Sequence, residues 1–247
     1  MNDICVSAEK LSKRFFVLKR KQTALGVLKA LVSGEPLKRE YWVLRDITLR
    51  IHKGEKLAIV GKNGSGKTTL LRIITGIYDR TYGDLEVKEE PRALFGCWTA
   101  LNADLSVIDN IYLFGAVHGI QRGYLKGKIS EIMKMTELYD LQFCALKELS
   151  MGQMQRLALS VFFQIPNDFL IFDESLASVD QGFAQKCEAY FKNLASSGKT
   201  VIMTSHDNRF LRKYCNKAIW LDEGRIRMSG QAQSVIDEYE NSFKPGN

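Results

Sequence analysis

The rhythm of apolar and polar positions changes three times along the chain. Residues 43–51, VLRDITLRI, alternate apolar and polar side chains, which predicts a strand with one buried face. HKG turns the chain, and residues 56–60, KLAIV, predict a fully buried strand. A helix follows from about Lys67 to Ile74. From about 106 to 165 the spacing becomes helical, in SVIDNIYLFGAVHG, YLKGKISEIMKMTELYDL and MQRLALSVFFQ. In the second of these, Leu125, Ile129, Ile132, Met133 and Leu138 share a face, the mark of a core-packing stripe. After Pro166 short β runs return, FLIF at 169–172 and TVIMTS at 200–205, with a helix near 181–196 between them. KAIWLDEGRIRMSG predicts a hairpin turning at Asp222-Glu223-Gly224, and AQSVIDEYENSF a closing helix. Alternating strands and helices predict an α/β fold with a parallel-sheet core and a helical insertion.

Composition narrows this picture without changing it. The 247 residues are 45% hydrophobic and 26% charged, enough for one large domain or two small ones. No stretch approaches the roughly 18 apolar residues of a membrane span, and MNDICVSAEKLSKRF lacks the pattern of a signal peptide. These features predict a soluble protein made in the cytoplasm. The five cysteines, Cys5, Cys97, Cys144, Cys187 and Cys215, are scattered without a CxxC pair, which predicts reduced thiols. Net charge is +7, from 35 basic and 28 acidic residues, with basic density over 10–21 and again at 38–45. Such a patch suits a solvated face as well as an anionic partner.

Three stretches carry chemistry. GKNGSGKT, Gly61 to Thr68, follows a buried strand and opens a helix, the setting of a phosphate-binding P-loop. Its glycines, Gly61, Gly64 and Gly66, let backbone N–H groups turn inward around phosphate, with Lys62, Asn63, Ser65 and Thr69 completing the contact set. Lys67 reaches the β- and γ-phosphates, and the Thr68 hydroxyl suits Mg²⁺. DFLIFDE ends a buried strand in two carboxylates: Asp173 suits Mg²⁺ and Glu174 a general base. His206 follows the strand TVIMTS and belongs to the same rim; the other histidines, His52 and His118, are not so placed.

A P-loop, then LSMGQ, then Asp-Glu after an apolar strand, then SLASVD and a strand ending in His resembles the nucleotide-binding domain of ABC transporters over essentially the whole chain. The resemblance implies a P-loop NTPase (RecA-like) core, an antiparallel β subdomain and an inserted α-helical subdomain. It implies one ATPase domain over 1–247, with core and β subdomain at about 1–95 and 166–247 and the helical subdomain at about 96–165. It further implies a head-to-tail homodimer trapping two MgATP, with Lys67, Glu174 and His206 catalytic. The signature residues Ser150, Met151, Gly152 and Gln153, at the head of a helix starting near Gln153, would face the other copy's γ-phosphate. Asp180 would close the D-loop that couples the two sites.

The chain departs from the family pattern in three places. Met151 stands where LSGGQ has its first glycine. No Gln lies between Gly76 and Gln121, so Asn102 or another residue of CWTALNADLS would replace the Q-loop glutamine. The aromatic that stacks on adenine is open among Phe15, Phe16, Tyr41 and Trp42, with Phe15 and Tyr41 put first.

These departures resemble one subgroup, the ATPase subunits of bacterial exporters of O-antigen, capsule and teichoic acid. Its features here are an insertion at about 17–40, the turn LSVIDNIYL, the run ESLASVDQGFAQKC at 174–187, and a signature whose first glycine already varies. Phe183, Lys186 and Cys187 of that run read as helix packing. The chain resembles the short type that lacks a C-terminal carbohydrate-binding domain. The subgroup implies an integral membrane permease as partner, a lipid-linked polysaccharide as cargo, no nucleic acid, and a peripheral place on the cytoplasmic face of the bacterial inner membrane. The competing readings are a soluble ABC-type ATPase acting on nucleic acid or ribosomes, an importer ATPase, and a binding module that no longer hydrolyses ATP.

Overall fold

The computed structural model describes residues 3–18, 38–96, 100–174 and 181–243. Predictions that fall on Cys97, on SLASVD with Asp180, and on most of the 17–40 insertion lie outside the described residues. The ends of that insertion are strand: β1 (Ile4–Leu18) and β2 (Lys38–His52) remain paired as far as Leu18 and Lys38.

Two sheets divide the molecule. β1 and β2 join β4 (Tyr82–Val87) in an antiparallel sheet of order β2-β1-β4. The six-stranded sheet has the order β5-β6-β7-β3-β8-β9. It comprises β5 (Arg92–Phe95), β6 (Phe169–Asp173), β7 (Thr200–Thr204), β3 (Lys56–Val60), β8 (Lys217–Asp222) and β9 (Arg225–Gln231). All are parallel neighbours except β9, which returns antiparallel to β8. The β8–β9 turn has Glu223 at φ 45° and Gly224 at φ 76°, so two positive-φ residues reverse the chain.

The helices are α1 (Lys67–Ile74), α2 (Val107–Val117), α3 (Arg122–Thr136), α4 (Met151–Phe163), α5 (Gln181–Ser196), α6 (Asn208–Tyr214) and α7 (Ala232–Asn241). The central strands β3, β6 and β7 are buried along their whole length, as their apolar runs predict. Alternate residues then serve opposite cores. Leu57, Ile59, Phe169, Ile171 and Ile202 pack toward β1, β2 and α1. Ala58, Val60, Leu170, Phe172, Val201 and Met203 pack toward α2–α7. The predicted stripe on α3 joins the second core: Leu125, Ile132, Met133 and Leu138 are buried, with Ile129 partly so.

β2 shows why its alternation is imperfect. Leu44 and Ile47 are both buried although three positions apart, because a bulge intervenes. Asp46 takes φ 52°, and its N–H donates to the Ser12 hydroxyl at 2.9 Å. Three arginines of this sheet and its neighbour form ion pairs across strands. Arg14 pairs with Glu40, Arg50 with Glu9, and Arg225 with Asp46.

Candidate functional site

Strand order assembles the site. β7 lies between β6 and β3, so the C-terminal ends of all three open on one edge. That edge of a parallel sheet is where ligand crevices form.

The loop from β3 to α1 is wrapped tightly against its surroundings. A Cβ on Gly61 would stand 2.2 Å from the Leu221 carbonyl oxygen and 2.7 Å from Ser65 Oγ. Gly66, the N-cap of α1, sits at φ 109°, and a Cβ there would meet Leu44 Cδ2 at 2.7 Å and the Val43 oxygen at 3.0 Å. The β8–β9 turn braces the loop from behind, since Gly224 N–H donates to the Ser65 carbonyl at 3.1 Å. No side chain caps α1 and no acid lies in its first turn, so its leading N–H groups and dipole favour an anion. Ser65 Oγ is buried with no hydrogen-bond partner among the described residues. Lys67 is buried, and its ammonium donates to the carbonyls of Gly61 at 2.8 Å and Lys62 at 3.2 Å. Burial pulls its pKa down, while the nearby carboxylates of Glu174 and Asp173 push it back up. A cradle of uncapped N–H groups, an orphaned hydroxyl and a buried cation fits a phosphate chain. Thr68, half-buried beside Lys67, and Asp173 are oxygen donors of the kind Mg²⁺ takes together with phosphate.

The two carboxylates are organised by a residue that sequence reasoning missed. Thr204 ends β7, directly beside Asp173 in register. Its hydroxyl donates to Asp173 Oδ1 at 2.7 Å and accepts from Glu174 N–H at 3.0 Å. Its carbonyl lies 3.2 Å from the same N–H. Asp173 is thereby held buried, while Glu174 takes a left-handed φ of 51° and turns its side chain outward. Glu174 Oε2 then lies 3.2 Å from His206 Nε2. Of the other histidines, His52 ends β2, and His118 packs against Phe114 and Phe162. Burial, aided by Arg92, pushes the His118 pKa down to about 4.

The LSMGQ segment starts α4 at Met151, two residues before the predicted start, because Ser150 is a good N-cap. The Ser150 hydroxyl accepts from Gln153 N–H at 3.3 Å, and Gln153 Oε1 accepts from Ser150 N–H at 2.8 Å, forming a capping box. Met151 is 65% exposed, and a Cβ on Gly152 would meet nothing within 4 Å. The site of the missing Q-loop glutamine is partly described. Asn102 Oδ1 accepts from Asp104 N–H, and the fully buried Asn110 pins the turn by donating to the carbonyls of Asn102, Leu105 and Ser106.

The aromatic candidates separate. Tyr41 lines an open cleft of about 600 Å³ together with Trp42, Arg45 and Gly64 of the P-loop. Phe15 lies directly across from Tyr41 in the strand pair, yet its ring packs edge-on to Tyr78 at 5.6 Å. Phe16 is exposed, with Arg14 over its ring.

A family model described as ABC transporter matches residues 44–177. The chain is 35% identical over 200 residues to the O-antigen export system ATP-binding protein RfbB of Myxococcus xanthus, covering 81% of this chain and 46% of that protein. It is 30% identical over 239 residues to the teichoic acids export ATP-binding protein TagH of Lactococcus lactis subsp. lactis, covering 97% and 51%. The chain spans about half the length of these curated relatives. Among solved structures, a dimeric post-hydrolysis state of the ATP-binding cassette MJ0796 bound to ADP and Pi aligns with a TM-score of 0.70 at 20% identity. It covers 92% of this chain and 98% of that one, a likeness of fold. With the family model matching more than half of its residues, the chain belongs to the ABC transporter family.

Proposed function

We propose that the chain binds and hydrolyses ATP as one of two copies in an exporter, and that the resulting motion drives a membrane permease moving a lipid-linked surface polysaccharide. The observation that carries the catalytic reading is the convergence of Lys67, Asp173, Glu174 and His206 on one sheet edge, with Glu174 and His206 in contact. The cargo reading rests on similarity to the O-antigen and teichoic acid export proteins. Among the described residues no helix is long and apolar enough to cross a membrane; the separate permease and the peripheral, cytoplasmic-face location of this reading rest on the same similarity to export-system ATP-binding proteins.

Each residue then has a task. The P-loop residues Gly61 to Thr69 hold the triphosphate through N–H groups and the Ser65 hydroxyl. Lys67 exchanges its loop carbonyls for phosphate oxygens. Thr68 and Asp173 would hold magnesium, which would supply neutralisation of the phosphate charge. Glu174 takes the proton of the attacking water. His206, protonated at Nε2, donates to Glu174 and aims the carboxylate. Tyr41 stacks on adenine, because it alone of the two foremost candidates shares a cleft with Gly64. In a head-to-tail dimer, the start of α4 offers its N–H groups to the γ-phosphate of the other copy. We read the chain as a single ATPase domain in which residues 96–165 are the helical part bearing that signature.

The test is ATP turnover by the purified chain with magnesium. Glu174→Gln should lower kcat by about a hundredfold or more, within the range lost with a general base, and trap an ATP-bound dimer by size exclusion. Turnover unchanged by Glu174→Gln would sink the reading.

A further inference from the structure

In the run ending in Lys186 and Cys187, Lys186 makes polar contacts that the apolar packing of its neighbours does not explain. α5 is the next described element after Glu174, and Lys186 projects from it onto the C-terminus of α3. The ammonium donates to the Met135 carbonyl at 2.9 Å and the Lys134 carbonyl at 3.5 Å. It also donates to Glu137 Oε1 at 2.7 Å. Its three donors are thus matched by three acceptors. Two of these are last-turn carbonyls left without helical partners where the chain exits α3, and a cation there also meets the favourable end of the helix dipole. The exit is sharp, with Glu137 as C-cap at φ 61°. On either side of Lys186, Phe183 and Cys187 are buried in the helix-facing core, which fixes the face of α5 that carries the lysine toward α3.

Glu137 extends the contact to a third helix. Its other oxygen, Oε2, lies 4.0 Å from Arg156 Nη1. Arg156 belongs to α4, less than two turns from the Ser150 cap. The far end of α4 is already fixed, because Phe163 stacks on Tyr190 of α5 at 3.8 Å and Phe162 meets Phe172 of β6 at 5.2 Å. At the signature end, the polar junction adds to the core contacts of Leu149, Met154 and Leu157.

We propose that Lys186 is a positioning residue for the signature loop: with Glu137 it locks the α3 exit to α5 and, through Arg156, sets where the start of α4 stands relative to the segment bearing Glu174. The pattern Phe183-x-x-Lys186-Cys187 is thereby one device, two apolar anchors holding a cation at a helix end. This rests on the reading that the signature acts on ATP held by the opposite copy.

The experiment measures kcat, KM and ATP affinity on the full chain for Lys186→Met, Lys186→Arg and Glu137→Gln, with Gly152→Asp alongside. Lys186→Met should lower kcat about fivefold, in the range that side-chain networks modulate, while ATP affinity stays within about twofold of wild type. Lys186→Arg, which can still donate to carbonyls and carboxylate, should recover at least half of the activity. Glu137→Gln should lower kcat without changing affinity, and it decides the matter if Lys186→Met does not fold. The proposal is overturned if both Lys186→Met and Glu137→Gln keep wild-type kcat. It is equally overturned if kcat and ATP affinity fall together and arginine restores neither. If Gly152→Asp is inactive while the Lys186 and Glu137 variants are normal, only the positioning role fails. If Gly152→Asp is fully active, the underlying reading of the signature fails instead.

Discussion

Two helix N-termini, those of α1 and α4, are assigned to phosphate in the proposed function, and they are built in opposite ways. α1 has no side-chain cap and is closed in by glycine backbone, Leu44 and the β8–β9 turn. α4 carries a complete capping box of its own and stands open, with Met151 exposed and nothing near Gly152. The first is therefore a site formed within one chain. It leaves its donors for a ligand and depends on the absence of side chains. The second satisfies its own cap and stands open, which suits the proposed approach of another copy. A glycine in each serves a different need: conformation at Gly66, clearance at Gly152.

That contrast can be broken most sharply at Gly66. Alanine there would be held at φ 109° against Leu44 and the Val43 carbonyl, a strain of about 1–3 kcal/mol. The expected outcome is a fall of several degrees in Tm with loss of ATP binding by titration. Gly152→Asp should separate fold from function. Its side chain has room, and an acid in the first turn of a helix is favourable by about 0.3–1 kcal/mol, so Tm should hold or rise. The carboxylate would nonetheless occupy the position offered to a phosphate, and ATPase activity should fall by about a hundredfold or more, comparable to removing a donor from an anion site. Met151→Gly should have the smallest effect, leaving turnover within a few-fold, since the exposed Met151 side chain packs on little. A large gain for that variant in a steady-state assay would make Met151 a lesion.

The same contrast explains what could be read in the sequence. The P-loop is local, so GKNGSGKT with its flanking strand and helix carried nearly the whole site, down to α1 beginning at Lys67. Fully buried strands were legible because both faces are apolar. β4 and β5 were not, because β4 alternates only between exposed and half-buried and β5 is four residues long. The dominant interactions of Thr204 are set by the register of β7 against β6, and those of Lys186 by the packing of α5 on α3, so neither has a local signal. Within the basic density at 10–21, the partners of Lys13 and Arg14 are likewise distant in sequence. Arg14 finds Glu40 only once β1 and β2 are paired, and Lys13 donates to the Asp79 carbonyl. The cysteines Cys5, Cys187 and Cys215, by contrast, are buried, in keeping with scattered thiols that serve the core.

The alternation of the central strands has a consequence for mutagenesis. Along β3, odd-numbered Leu57 and Ile59 face the antiparallel sheet and the P-loop helix, while even-numbered Ala58 and Val60 face the helical layer that holds the signature. Truncations scanned along that one strand should sort by parity of residue number, one class weakening the nucleotide cradle and the next the placement of α4. Neighbours in sequence would thus report on the two halves that the proposed function joins in one site.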